Sequence, residues 1–224
     1  VLPRFDLVMF DACLMAHLET AVAVMDSADW LCASQASVPG TGYPYGQVLP
    51  LFAQHQDGGA VAKGVVAAFA DFYEHAQEID GRQIDPDSTV TQSAIDLSRV
   101  PRIAQLLDRF ADALVPVVDD NWTALGRALF YGESYQPRTK RFTDGWIASI
   151  DLQDALRRVR DTLQPFPDAA AAALRDLEQE LAAAVVATHH GEQRGLSRGL
   201  SVFAPFRQTD RLLPYAETSL GAGN

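Results

Sequence analysis

Cys13 is the residue of this chain with the clearest capacity for covalent chemistry, because an apolar run ends just before it and a helical pattern begins just after it. A thiol carried from the end of a buried strand to a helix start meets the helix dipole and unpaired backbone N–H groups, and both favour the thiolate. A thiolate there can attack a carbonyl carbon, and the N–H of Cys13 itself is a natural donor to the oxyanion that forms. The ordinary alternative is a buried, inert cysteine. Asp11, two residues earlier, reads as a cap that accepts backbone N–H bonds at the same helix start. Cys32 is the only other cysteine, and two are too few for a disulfide framework or a four-cysteine zinc site, so both are expected to be reduced.

A histidine is the usual base for such a thiol, and none of the five is well placed by sequence. His17 lies four residues after Cys13, a spacing that joins side chains on a helix, but Cys13 precedes the helix rather than lying on it. His189, His190 and Gly191 read as a helix C-terminus closed by glycine, where cations are favoured. Zinc held by His189, His190 and Glu192 lacks ligand spacing. Nothing recommends His55 or His75.

The elements that must position Cys13 are set out by apolar periodicity. Phe5 to Phe10, bounded by Pro3 and Asp11, reads as a strand buried on both faces. Leu14, Leu18, Ala21, Val22 and Met25 share one face, so a helix is predicted directly after Cys13 and on to Ser27. Asp29 to Ser34 follows as a strand and Gln35 to Gln47 as a loop rich in Pro, Gly and Tyr. Ala60 to Ala76 is a helix with Val61, Val65, Phe69 and Phe72 on one side. Asp80-Gly81 and Asp85-Pro86-Asp87 are turns, Thr89 to Leu97 is β-rich, and Ser98 is a candidate cap for the next helix.

From Val100 the pattern is helical, with an apolar face at Ile103, Leu106, Leu107, Phe110 and Leu114. Trp122 to Phe130, Leu152 to Leu163 and Asp168 to His189 are further helices, with a basic loop at Gln136 to Thr143. Gly199 to Pro205 is the last strand. The alternation predicts an α/β fold, a mostly parallel sheet flanked by helices, with a helix-rich C-terminal half. Residues 1–207 read as one unit with a helical insertion at about 100–190, and 208–224 as a tail or the start of a truncated segment.

Composition narrows the partners. At 48% hydrophobic and 21% charged residues the chain can bury a sizeable core. A net charge of −11 repels nucleic acid and anionic membrane surfaces and favours a cationic peptide. No apolar run approaches the ~20 residues that span a bilayer.

Four collinear stretches carry a family resemblance. Phe10-Asp-Ala-Cys-Leu-Met-Ala-His-Leu-Glu-Thr20 resembles the nucleophile segment of the clostripain-like cysteine peptidases, relatives of caspases, gingipains and legumains. Trp30 to Gln35 followed by Pro39-Gly-Thr-Gly-Tyr-Pro-Tyr45 resembles their next strand and Pro-Gly loop. Ser93-Ala-Ile-Asp-Leu-Ser98 and Arg198-Gly-Leu-Ser-Val-Phe-Ala-Pro205 resemble two later segments. The resemblance implies a caspase-like fold and a thiolate endopeptidase with Cys13 as nucleophile. It gives Asp11 a second use, a carboxylate bordering the pocket for a P1 Arg or Lys, and it makes Ser34, Gln35 and Tyr43 substrate-binding residues.

The family's base is a histidine in a His-Gly motif ahead of the cysteine strand, and only twelve residues precede Cys13. The resemblance therefore implies a chain incomplete at its N-terminus, whose partners are a peptide or protein substrate and the missing N-terminal segment or light chain. The competing reading is a caspase-like binding or regulatory domain without catalysis. Relatives often carry acidic residues where this chain has Gln35, Ala36, Ser37 and Val38, which weakens the case for basic specificity. No cofactor is certain, calcium dependence being a feature of some relatives, and a secreted or cell-envelope location follows from the resemblance alone.

Overall fold

The computed structural model describes residues 3–54, 57–135 and 149–204; the His55 position, the Gln136 to Thr143 loop and the tail from 208 lie outside them. The apolar run at the start forms β1 (Phe5–Met9), and a short helix, α1 (Leu18–Val24), follows after a turn. β2 (Ala28–Ala33) lies parallel to β1, with Leu7 opposite Trp30 and Met9 opposite Cys32. α2 (Tyr45–Gln54) and α3 (Gly58–Glu74) come next, the second capped by Asp57, whose carboxylate accepts from the N–H groups of Gly59 and Ala60. A small hairpin, β3 (Gln77–Ile79) and β4 (Arg82–Ile84), turns at Asp80-Gly81.

β5 (Thr91–Asp96) returns antiparallel to β2, and α4 (Val100–Phe130) begins the helical half. β6 (Ser149–Asp151), α5 (Leu152–Thr162) and α6 (Asp168–Ala184) lead to β7 (Val185–His190), which pairs antiparallel with β5. The last strand, β8 (Ser201–Phe203), pairs with β6. The main sheet thus runs β1-β2-β5-β7.

Strand alternation sorts this sheet's side chains into two cores. Leu31, Ala33 and Ile95 point into a cluster with α1, α4, α5 and α6, built from Leu18, Ile103, Leu106, Leu177 and Leu181. Cys32 and Ala94 point the other way, into a cluster with Val61, Val65, Phe69 and Tyr73 of α3 and with Tyr43. Helices therefore cover both faces of a mixed sheet, the expected α/β layering, with the parallel pairing confined to β1 and β2.

Three local expectations are corrected. β1 is the edge strand of its sheet and only partly covered, with Phe5 52% exposed, because no described element pairs with its outer edge. The segment Asp168 to His189 is not one helix: α6 stops at Ala184, where Val185, Val186 and Thr188 change the side-chain period from helical to alternating and extend into β7. His189 and His190 therefore stand on a strand and not at a helix end. The helix after Val100 and the one expected at Trp122 to Phe130 are a single helix that runs through Pro116 to Phe130, and Ser98 is not its cap; Asp96 accepts the Ser98 N–H in a short turn before it.

Candidate active site

The turn after β1 presents Cys13. Phe10 N donates to Cys32 O at 3.0 Å, and beyond it the chain leaves β2 and doubles back. Leu14 holds a φ of 62°, a left-handed conformation that a bulky side chain adopts only under constraint from its surroundings. The constraint is visible: Leu14 N donates to Ala36 O at 3.1 Å and Ala16 N to Ser34 O at 2.9 Å. Cys13 sits at the apex of this turn, exposed. Its sulfur accepts from Val38 N at 3.3 Å and lies 3.8 Å from Val38 O.

The expected helix start is displaced. α1 begins at Leu18, so Cys13 is not at a helix N-terminus, and the donor nearest its sulfur is a loop amide instead of a helix terminus. The cause is Leu14: its positive φ interrupts the helical spacing that the sequence shows from that residue onward. Cys32 offers the contrast. It is fully buried beside Ala62 O, and burial pushes its thiol up to about 12, so it stays protonated near neutral pH.

Asp11 is not a cap either. Its Oδ2 accepts the Tyr45 hydroxyl at 2.9 Å and the Tyr43 N–H at 3.5 Å, which fastens the Pro39 to Tyr45 loop beside the cysteine turn. That hydrogen bond, and the charge behind it, raise the Tyr45 hydroxyl above its ordinary range. Gly42 lets the two segments meet: its φ is +66°, and a Cβ there would come within 2.5 Å of Asp11 Oδ2. Tyr73 of α3 donates to Gly42 O at 2.7 Å and exchanges a bond with Thr41 Oγ1, also at 2.7 Å.

The other residues expected to touch substrate are buried supports. Tyr43 is 3% exposed; its hydroxyl donates to Phe10 O and accepts from Gln92 Nε2. Ser34 and Gln35 are fully buried, with their polar atoms engaged by the scaffold. Ser34 Oγ meets Thr91 Oγ1 at 3.0 Å, and the N–H groups of Gln35 and Ala36 both donate to that same Thr91 oxygen at 2.9 Å. Thr91 thus holds the backbone against which the cysteine turn is built. The sequence marked Thr91 only as part of a β-rich segment, since nothing in a single threonine signals a hydroxyl serving three partners.

Gln35 carries the support inward. Its Nε2 donates to Asp151 Oδ2 at 2.9 Å and its Oε1 accepts from Gly199 N at 2.8 Å. Asp151 also accepts from Arg198 N at 2.6 Å and Asp154 N at 2.9 Å. Burial raises its carboxyl above the usual range, against the pull of these donors. Asp151→Ala strips the acceptor from this largely buried cluster and leaves Gln35 Nε2 and the N–H groups of Asp154 and Arg198 without it. It is expected to lower stability by about 2–4 kcal/mol, read as a fall in the urea midpoint at constant slope. An unchanged midpoint would show that Gln35 and Arg198 find other acceptors without cost.

The described histidines do not meet the sulfur. His17 is buried, with Nδ1 3.3 Å from Glu19 Oε2. His75 ends α3, its Nδ1 on Asp71 O at 2.9 Å, and His190 Nδ1 lies 3.2 Å from Gly191 O. His189 Nδ1 is 3.4 Å from Glu74 Oε1. Among the described residues no group of three or more His, Cys, Asp or Glu side chains is arranged to hold a metal ion.

Three solved structures share the fold, two of them over most of their own length. A cysteine protease of B. fragilis is 19% identical with a TM-score of 0.62, covering 99% of this chain and 87% of its own. A clostripain from Bacteroides thetaiotaomicron, solved with a peptide inhibitor, is 16% identical with a TM-score of 0.59, covering 98% and 87%. A secreted C11 cysteine protease from Bacteroides thetaiotaomicron, bound to an irreversible peptide inhibitor, is 16% identical with a TM-score of 0.63, covering 97% and 58%. No curated protein sequence matches the chain. The sequence model of the clostripain family matches residues 1–194, and the chain belongs to that family of cysteine peptidases.

Proposed function

We propose that this protein is an endopeptidase that uses Cys13 as its nucleophile and cleaves after Arg or Lys. The observation that carries the reading is the exposed Cys13 on a constrained turn, with the Val38 N–H on its sulfur and the Asp11 carboxylate on the loop alongside. The thiolate attacks the scissile carbonyl, and the Cys13 N–H, which makes no backbone hydrogen bond among the described residues, is the oxyanion donor. A histidine transfers its proton to the leaving amine, and water then hydrolyses the thioester and restores the thiol.

Asp11 meets the P1 cation. Its Oδ2 is partly occupied by Tyr45 and Tyr43, while Oδ1 has no hydrogen-bond partner among the described residues, which leaves acceptor capacity for a guanidinium or ammonium. The histidine base comes from a segment upstream of Val1, in the same chain or as a separate light chain. The outer edge of β1, which pairs with no described element, supports this, because a strand added parallel to β1 would end beside the Cys13 turn. Two structural matches are described as secreted, and no described helix is long and apolar enough to cross a membrane; secretion is the corresponding proposal here.

A peptide electrophile with P1 Arg tests the nucleophile. It is expected to label Cys13 and spare Cys32 in the complete protein, and equal labelling would overturn the assignment. Residues 1–224 alone are expected to show negligible turnover of Arg peptides, and adding the upstream segment should restore it. Robust turnover without that segment, abolished by His17→Ala or His190→Ala, would instead make the base internal.

A further inference from the structure

Two buried polar atoms on neighbouring strands lack partners among the described residues, and one of the two side chains contacts the loop that borders the site. Gln92 on β5 and His189 on β7 are directly opposite in the antiparallel register, so their side chains lie on the same face of the sheet. That face is the one covered by α3, where Ala94, Ala187 and Tyr43 also pack. Gln92 is fully buried and the His189 side chain is 10% exposed. Gln92 Oε1 and His189 Nε2 have no hydrogen-bond partner among the described residues.

The remaining atoms of both side chains are committed. Tyr43 donates its hydroxyl proton to Phe10 O at 3.3 Å, so the group facing that oxygen must be a donor. This fixes the amide of Gln92, with Nε2 on Tyr43 at 2.7 Å and Oε1 turned away. On the other side, His189 Nδ1 lies 3.4 Å from Glu74 Oε1, which calls for a hydrogen on Nδ1. Nε2 of the neutral ring is then an acceptor, as Gln92 Oε1 is. Burial lowers the pKa of His189, with the Glu74 charge opposing and His190 assisting, so the ring is neutral around pH 7.

We propose that Gln92 and His189 are positioning residues for the Pro39 to Tyr45 loop, joined through one hydrogen-bond donor held between Gln92 Oε1 and His189 Nε2. A water molecule that gives one hydrogen to each atom satisfies both. The amide then cannot rotate without losing two bonds. Nε2 therefore stays on Tyr43, and Tyr43 keeps its bond to Phe10 O, one residue before Asp11. With that donor in place, a line of polar contacts runs from Glu74 at the surface, through His189 and Gln92, to Tyr43 of the loop that contacts Asp11. The functional consequence rests on the reading of Asp11 as the P1 contact.

The test uses the complete protein with Gln92→Leu, His189→Phe, the double variant and His189→Gln, assayed on Arg and neutral P1 peptides alongside thermal unfolding. Each apolar single variant is expected to raise KM for the Arg peptide about tenfold with kcat nearly unchanged, and the double variant is expected to be no worse than the worse single. His189→Gln, which can present a donor to Gln92 Oε1, should recover most of the loss. Additive effects, a loss carried in kcat, or no recovery by glutamine would overturn the proposal.

Nitrogen NMR of the unmodified protein is independent of turnover and of whether the variants fold. Nε2 of His189 should give a hydrogen-bonded shift that changes in Gln92→Leu, and a free-acceptor shift would overturn the coupling. If that signature holds while Arg and neutral peptides respond alike, the coupling stands and the Asp11 reading fails.

Discussion

Cys13→Ala is expected to lower kcat/KM on Arg peptides by about 10⁵-fold, the scale on which enzymes respond to removal of an attacking nucleophile. The fall should be in kcat, since the alanine leaves the substrate contacts of Asp11 and the loop in place. Thermal unfolding should hardly move, because the Cys13 side chain is exposed and the turn is fixed by backbone bonds from Leu14 and Ala16. Cys32→Ala is the complementary control. Cys32 packs in the α3 core with Val61, Val65 and Phe69, so its loss should cost about 1 kcal/mol of stability and leave turnover within about threefold. Retained activity in Cys13→Ala, or a matching loss in Cys32→Ala, would assign the chemistry elsewhere.

Much of this arrangement was legible in the chain, and the parts that were not share physical causes. β2, α3, β5 and α5 have strong periodicity, and the sequence places each within a few residues of its observed span. The strand before Cys13 is legible for the same reason, but its exposure is not, because an apolar run cannot say whether a neighbour pairs with its outer edge.

The helix start was misplaced because side-chain spacing is blind to a single φ. Leu14, Leu18 and Ala21 lie on one helical face, yet Leu14 is left-handed, held by acceptors on Ser34 and Ala36 that are remote in sequence. β7 was hidden by the alanines ahead of it, which carry a helical signal up to Ala184; the β-branched residues beyond it are too few to announce a strand without its partner β5.

Within the candidate site, residue types single out Cys13 and Asp11, and long-range bonds set how the other named residues are placed. Ser34, Gln35 and Tyr43 lie on the neighbouring segments, where Thr91, Asp151 and Gln92 draw their polar atoms inward. A sequence reading places residues near a site more readily than it decides which of them face the solvent.

Asp11→Asn separates charge recognition from loop fastening. Asparagine keeps an oxygen for the Tyr45 hydroxyl and the Tyr43 N–H, so the loop should stay beside the cysteine turn while the negative charge is lost. A charge-assisted bond to a P1 cation contributes about 1.5–3 kcal/mol, so kcat/KM for Arg and Lys substrates should fall about 10- to 100-fold. Neutral P1 substrates, which make no such bond, should change by no more than about threefold. Tyr45→Phe makes the opposite cut: it keeps the charge, removes the hydroxyl that holds Oδ2, and should cost all substrates a similar, smaller factor. If Asp11→Asn instead weakened Arg and neutral substrates alike, the carboxylate would act through the loop alone. With Gln35, Ala36, Ser37 and Val38 supplying no charge in the neighbouring segment, a preference for basic P1 residues would then need an anchor other than Asp11.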